Sequence, residues 1–434
     1  VAVKLDLLYE IDVPKPWPGE HPYGQRKAEQ RAYAEAMEQI RLADRLGFHT
    51  TWHVEHHFRE GRSHSPAPEV VLGALSQCTE NLRLGFGVTL MPHGFTNPVR
   101  VAEKVATVDI LSKGRVEWGT GRSTPMEQTA FGVPLDKSRD QWREAIDAVV
   151  QAWESEYFEY HGTWLDFPRR MVTPKPVQDP HPPCWMAATS EGSAAVAGKL
   201  GLGLLSFSIL QPVEKMGEHI RQYREAAMDP TPLTRVTTNK VAAYTLVHCE
   251  ESMARCEEHG IWESVWWWYK NLAEFTLEWE LPHLTPEQQD EVFPLLKRQL
   301  KGDFDPKEFS EADMIVVGSP EQCLEKMLRY EALGVDQLIC YVQFGHLSHE
   351  SVMKTIELLG KEVIPELEHR ERQAAREGAE QAGAARPAAD GAQTSAPADT
   401  VGADGMARGE ATSPEPGGEA VQGSTWAVPG QRSA

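Results

Sequence analysis

The chain has 434 residues, with 43 lysines and arginines against 64 aspartates and glutamates, a formal charge of −21. That balance excludes a surface built for nucleic acid or anionic lipid, since gripping phosphates over an area needs clustered lysine and arginine. Six cysteines with no Cys-x-x-Cys pair exclude a disulfide framework or zinc ribbon and are read as reduced thiols of a cytoplasmic protein.

The N-terminal run Val1 to Ile11 is interrupted by Lys4, Asp6 and Glu10, unlike a signal peptide. From there strands and helices alternate. A strand is expected over Val3 to Tyr9. A helix over Arg26 to Leu46 sets Tyr33, Met37, Ile40 and Ala43 on one face and meets Gly47 where a C-terminal cap belongs. A strand over Thr50 to His56 precedes a helix over Pro68 to Thr79. Leu82 to Leu90 is a third strand, and Asn97-Pro98 caps a helix carrying Val101, Val105 and Val108. Arg115 to Gly119 is a fourth strand, and Asp136 to Trp153 a helix. After a Pro-rich hairpin and loop from Glu154 to Pro183, alternation resumes. Strands are expected at Cys184 to Ala188, Gly203 to Phe207 and Lys240 to His248, with helices at Ser190 to Leu200 and Pro212 to Ala227. Gly201 to Leu210 is far shorter than the about 20 residues of a membrane span.

A second insertion, helical, occupies about 250–311. Met314 to Val317 is read as a short piece outside the barrel, and Ser319-Pro320-Glu321-Gln322 as a capping box. Asp336 to Val342 is the last strand, followed by a helix from Ser348. Beyond Leu367 the chain has no Leu, Ile, Phe or Tyr. Such a composition cannot bury enough apolar area to offset its ordering entropy, so 373–434 is expected to be a disordered tail on a domain of 1–372. Eight parallel strand–helix units make a (β/α)8 barrel with insertions. A doubly wound open sheet is the alternative, weakened because no Gly-x-Gly-x-x-Gly follows the first strand.

In a barrel, function lies at the carboxyl ends of the strands. The second strand ends in Trp52-His53-Val54-Glu55-His56-His57-Phe58. On a strand His53, Glu55 and His57 share one face. Three readings stand: a metal site, histidines hydrogen-bonded beneath a loop, or an acid–base group. Gly119 and Gly121 precede Arg122; glycine lets a ligand approach the backbone, and a guanidinium fork suits phosphate. The alternative is a surface arginine paired with a helix carboxylate. The fifth strand runs into Thr189-Ser190-Glu191-Gly192-Ser193, a hydroxyl-rich helix start that can receive phosphate or merely cap the helix.

The sequence resembles the bacterial luciferase-like flavin-dependent monooxygenases. The resemblance is carried by Glu55-His56-His57-Phe58, Asn81 to Gly85, Asn97-Pro98, Asp109-Ile110-Leu111-Ser112-Lys113-Gly114-Arg115, Gly119 to Arg122, Ala187 to Ser193, Val317 to Glu321 and Gly334-Val335-Asp336. It spans approximately residues 1–370, and Leu-Ser-Lys-Gly-Arg is its most specific block. The resemblance implies a (β/α)8 barrel, usually dimeric, using FMN or, in one branch, a deazaflavin. It places Arg122, Ser190 and Ser193 on the flavin phosphate, with Thr189 where the luciferases carry a glutamate. Gly87-Val88 matches a cis peptide beneath the flavin ring. His56 matches a catalytic histidine, with Glu55 beside it, and no metal is implied.

The implied activity is that of a two-component oxygenase. Reduced FMN from a separate flavin reductase reacts with O2 to a flavin hydroperoxide, and one oxygen atom enters a small, apolar organic substrate. Two alternatives are a deazaflavin-dependent hydride transfer and a non-catalytic flavin-binding protein. One chain with a full site suggests a homodimer. The aromatic run Trp262, Trp266, Trp267, Trp268 and Tyr269 is either core, with Trp262, Trp266 and Tyr269 on one helical face, or a hydrophobic lid over the substrate.

Overall fold

The computed structural model describes residues 2–188, 192–206, 213–279, 285–287, 298, 302 and 305–384. The chain divides into Val1–Glu380 and Gln381–Ala434. Strands are β1 (Lys4–Tyr9), β2 (Thr50–His53), β3 (Arg83–Leu90), β4 (Val116–Gly121), β5 (Phe158–His161), β6 (Asp166–Arg170), β7 (Cys184–Ala188), β8 (Gly203–Ser206), β9 (Val241–Cys249), β10 (Val316–Gly318) and β11 (Gln337–Tyr341). The helices used below are α1 (Tyr23–Arg45), α2 (Pro68–Leu75), α3 (Pro98–Leu111), α4 (Pro125–Ala130), α5 (Ser138–Glu154), α6 (Ser193–Lys199), α7 (Val213–Ala227), α8 (Met253–Glu258), α9 (Ile261–Trp279), α10 (Lys307–Glu311), α11 (Pro320–Ala332), α12 (His349–Leu358) and α13 (Ile364–Ala384).

Eight strands close a ring in the order β1-β2-β3-β4-β7-β8-β9-β11, every pair parallel, and β11 returns to β1. The open-sheet alternative is excluded by that closure. β10 pairs only with the far end of β9, Val316 against Val247 and Gly318 against Cys249, so it lies outside the ring as expected. β5 and β6 form the antiparallel hairpin of the first insertion.

Two tryptophans plug the barrel. The Trp52 and Trp185 rings meet edge to face at 5.6 Å, and each covers a glycine of the next strand. A Cβ at Gly85 would run into Trp52, and one at Gly203 into Trp185. Their indole N–H groups donate to the buried carboxylates of Asp6 (2.8 Å) and Glu117 (2.7 Å), so the plug carries no unpaired donor.

Local signals set the helix starts. Asn97 Oδ1 accepts the Val99 N–H at 2.9 Å ahead of Pro98, and Ser319 with Gln322 forms the capping box of α11. Two boundaries differ from expectation. β2 stops at His53 rather than His56, because the His56 N–H leaves the ladder for the Ser65 carbonyl at 3.1 Å. α13 runs on past Gln373 to Ala384, where the low-hydropathy tail was expected to begin, supported by the i,i+4 pairs Arg370–Glu366 and Arg372–Glu368. No helix of the described residues is long and apolar enough to cross a membrane.

His53 gives the fold a pH dependence. It is fully buried, stacked on Tyr9 at 5.6 Å, and burial pushes its imidazole down to about 3. Because the folded value lies below that of the unfolded chain, this contribution is complete above about pH 6.5 and is lost as pH falls toward 3. His53→Gln is expected to flatten the fall in melting temperature between about pH 7 and about pH 5 relative to wild type. Parallel melting curves that keep the same pH slope would show that His53 does not set it.

Candidate active site

The loop after β2 carries the acid–base candidates. His56 turns its Nδ1 onto Glu127 Oε1 at 3.1 Å, and the His57 backbone N–H donates to the same oxygen at 2.7 Å. Glu127 lies on α4, fully buried, and its other oxygen takes the Thr124 hydroxyl at 2.9 Å and faces Arg59 at 3.7 Å. Burial alone would raise this carboxyl, but the charges of His56 and Arg59 and the hydrogen bonds of His56 and Ser123 outweigh it and hold it well below the usual carboxylate range. An ionised Glu127 accepts from His56 Nδ1–H, so the tautomer is fixed and Nε2 is the atom left to exchange a proton. No described residue hydrogen-bonds to Nε2.

Glu55 takes a different role from the one its motif suggests. Its Oε2 accepts the Leu90 N–H at 2.9 Å, pinning the end of β3, and its Oε1 lies 3.9 Å from His57 Nε2. His53, Glu55 and His57 do not converge, because the strand that would align them ends at His53. Among the described residues they form no metal-ligating group.

β3 and β4 build the next wall. The Gly87–Val88 peptide is cis, as the resemblance implied, and the β3–β4 register shifts between Phe86 and Thr89. Gly119 and Gly121 sit against this irregular stretch. A Cβ at Gly119 would strike the Phe86 carbonyl, and one at Gly121 the Val88 side chain. These glycines are therefore required by the approach of β3; the expected role, opening the backbone to a ligand, is not what fixes them.

Arg122 follows at the end of β4 with its Nη1 3.2 Å from the Ser138 hydroxyl. Beside it stands Arg139, on the first turn of α5, which sequence reasoning missed. Together with Gly121, Trp142, Met186, Ala187 and Val196 they line a small open pocket. Burial and then the neighbouring Arg139 charge press the Arg122 guanidinium below its ordinary value. Neither arginine forms an ion pair among the described residues, which removes the reading of Arg122 as a surface arginine tied to a helix carboxylate. Two adjacent cations without a counter-charge suit a dianion. Ser193 opens α6 nearby in the fold order and is buried; Thr189 and Ser190 lie outside the described residues.

The remaining mouth of the barrel is aromatic and charged. Arg62, fully buried, donates to Glu10 and to Asp12 (3.3 Å) and lies 4.6 Å over the Trp268 ring. Tyr341 donates to Asp12 at 2.6 Å. Burial first, and then the Glu10 charge, push Asp12 up to about 7 against the pull of Arg62. The inward stripe of α9 is Ile261, Val265, Trp268, Tyr269 and Leu272. That is one step round from the expected Trp262, Trp266 and Tyr269, of which only Tyr269 is fully buried. Trp268→Ala is expected to cost about 3–5 kcal/mol in urea unfolding, and Trp267→Ala, which faces His346, well under half of that. Equal losses would contradict the assignment of Trp268 as the inner side chain.

The model of the luciferase-like monooxygenase family matches residues 18–337. The chain belongs to that family. Its members are oxidoreductases, and the fold, the resemblance and the family agree. Over 353 residues the chain is 26% identical to the oxygenase component of the flavin-dependent trigonelline monooxygenase of Acinetobacter baylyi, covering 78% of this chain and 91% of that protein. It is 25% identical over 351 residues to an F420-dependent glucose-6-phosphate dehydrogenase of Beutenbergia cavernae, covering 80% and 97%. Among solved structures, the monooxygenase RslO1 of Streptomyces bottropensis superposes with a TM-score of 0.64 at 25% identity, covering 84% of this chain and 99% of that one. The family therefore contains both flavin-dependent and F420-dependent relatives of this chain.

Proposed function

We infer that the protein is the oxygenase component of a two-component flavin monooxygenase. It takes reduced FMN from a separate reductase and, with O2, oxygenates a small, largely apolar organic substrate. The observation that carries this reading is an imidazole with one free nitrogen, His56 Nε2, backed by an ionised carboxylate, in a barrel whose mouth also holds two unpaired cations. The donor set fits FMN: Arg122 and Arg139 would hold its phosphate with Ser193 and, by the family resemblance, Thr189 and Ser190, while Gly87 and Val88 would lie against its ring. Reduced flavin supplies the two electrons that activate O2 for transfer of one oxygen atom.

The chain's own residues then have distinct tasks. Glu127 keeps the proton of His56 on Nδ1, and Nε2 donates or accepts a proton at the oxygen being transferred. Glu55 holds the Leu90 backbone, and with it the end of β3, in place. Trp268, Tyr244 and Tyr341 exclude water from the inner mouth, where Arg62 neutralises Glu10. Six unpaired thiols suit a reducing cytoplasm, and a full site on one chain suits a homodimer.

A second reading, hydride transfer with reduced F420, is favoured by the dehydrogenase relative, 25% identical over 80% of this chain against 26% over 78% for the monooxygenase. The two separate in one experiment. Stopped-flow mixing of the protein with photoreduced FMN in aerated buffer is expected to delay the return of oxidised-flavin absorbance severalfold relative to free FMN. Reoxidation at the rate of free FMN, together with binding of F420, would overturn the oxygenase reading.

A further inference from the structure

At the carboxyl end of β9, on the face turned to α12, three ligand-type side chains meet. His248 is the penultimate residue of β9, Glu250 follows the strand, and His259 caps α8 two residues before α9 begins. One potential ligand atom from each lies within 4.8 Å of the other two. No other group of three or more His, Cys, Asp or Glu side chains among the described residues is arranged in this way.

The hydrogen bonding around the group leaves acceptors without donors. Thr355 Oγ donates to the Cys249 carbonyl at 3.0 Å and accepts the Cys249 N–H at 3.1 Å. With its proton so engaged, that hydroxyl can only accept from His248 Nδ1, which lies 3.1 Å away. The His248 proton is thereby fixed on Nδ1, and Nε2 is a bare lone pair. The ring is fully buried, and Nε2 has no hydrogen-bond partner. Glu250 Oε1 is likewise buried and without a donor. His259 Nδ1 is 3.1 Å from that oxygen and 3.0 Å from the Ser351 hydroxyl; with Ser351 as the donor, Nδ1 is a second lone pair and no proton lies between it and Glu250. A buried lone pair facing a buried carboxylate oxygen is costly unless a cation lies between them.

We propose that His248, Glu250 and His259 bind a divalent transition-metal ion, Zn2+ in the first instance. Two imidazoles and one carboxylate are a borderline N,N,O set with a fourth position left for water, the chemistry that selects zinc over calcium or magnesium. Bonds of about 2.1 Å place tetrahedral ligands about 3.4 Å apart. The cluster closes to that size by rotation of His259, whose side chain is 28% exposed. Thr355 fixes the tautomer of His248 from behind, as partners of metal-bound histidines do. Arg255, 3.4 Å from His259 Nε2, is the opposing charge, and it already has Glu258 to turn to. The ion would join β9 to the start of α9, the helix that carries Trp268 over the mouth of the barrel. The proposal stands independently of the cofactor and reaction assigned above.

The test uses the full chain, stripped with a chelator and titrated with Zn2+ by calorimetry. One ion per chain is expected, with a melting temperature that rises on loading. Thr355→Val is expected to weaken binding about 10–100-fold. His248→Ala and Glu250→Gln should abolish the tight site, and because both of those side chains are buried, His259→Ala, at a partly exposed position, serves as the variant that keeps the fold. Arg255→Ala should tighten it. Co2+ loading is expected to give the intense visible bands of a tetrahedral N,N,O site in wild type and to lose them in His259→Ala. Failure of wild type to take up stoichiometric Zn2+, or uptake unchanged in both His259→Ala and Glu250→Gln, would overturn the proposal.

Discussion

His56→Ala is expected to leave FMN affinity within about twofold of wild type while lowering product formed per O2 consumed by about 100-fold or more, the span of a lost general acid or base. The oxygen is then released as peroxide. The reasoning lies in the division of the two ring nitrogens: Glu127 occupies Nδ1, and Nε2 is the atom directed to the chemistry. Glu127→Gln separates positioning from proton transfer. The amide keeps a hydrogen bond to the imidazole but removes the charge beside it, so product formed per O2 should fall while KM and FMN affinity change little. Glu127 also contributes stability of the opposite pH sense to a buried neutral carboxyl. Its folded value is depressed, so this stability is present above the ordinary glutamate range and is lost as pH falls below it. An oxygen-to-product ratio in His56→Ala equal to that of wild type would remove His56 from the mechanism.

The second large effect concerns the two arginines. Arg122→Ala and Arg139→Ala are each expected to weaken FMN binding about 10–100-fold, as a charge-assisted hydrogen bond to phosphate is worth about 1.5–3 kcal/mol. Riboflavin, which has the same ring and no phosphate, should bind both variants as it binds wild type. The apo protein offers a check of opposite sign. Burial and mutual repulsion both disfavour the Arg122 charge, so removing either cation should leave apo stability unchanged or slightly higher, whereas a purely structural arginine would lose stability when truncated. Equal loss of FMN and riboflavin affinity would show that the pair shapes the pocket without holding phosphate.

The eight barrel strands were readable one by one. Cys184–Ala188 falls where the strand was expected, and the short run at Met314 lies outside the ring, as the count of eight strand–helix units required. His56, the Gly87–Val88 bond and Arg122 were reached through the family resemblance, and the structure brings His56 a carboxylate and Arg122 a second cation. Those two partners were missed for a common reason. Glu127 is the fourth residue of Thr124-Pro125-Met126-Glu127, the pattern of a capping box, and a cap explains a glutamate locally without pointing to a histidine 71 residues away. Arg139 looks like any charged residue in the first turns of an amphipathic helix. The phase of α9 was misread because tryptophans occur on more than one of its faces, and periodicity cannot choose between them; the buried Arg62 guanidinium, which stacks on Trp268, does.

The sequence by itself determined the alternation of strands and helices, the caps that start α3, α11 and α12, and the family. Each of these is written in contacts between residues a few positions apart, or in blocks of consecutive letters. Only the tertiary structure decided that Glu55 braces β3 while Glu127 serves His56, that Gly119 and Gly121 make room for neighbouring strands, and that His248, Glu250 and His259 face one another. Those outcomes depend on which side chains the closure of the ring brings together, and pairing across the barrel is a property of three-dimensional distance that spacing along the chain does not encode.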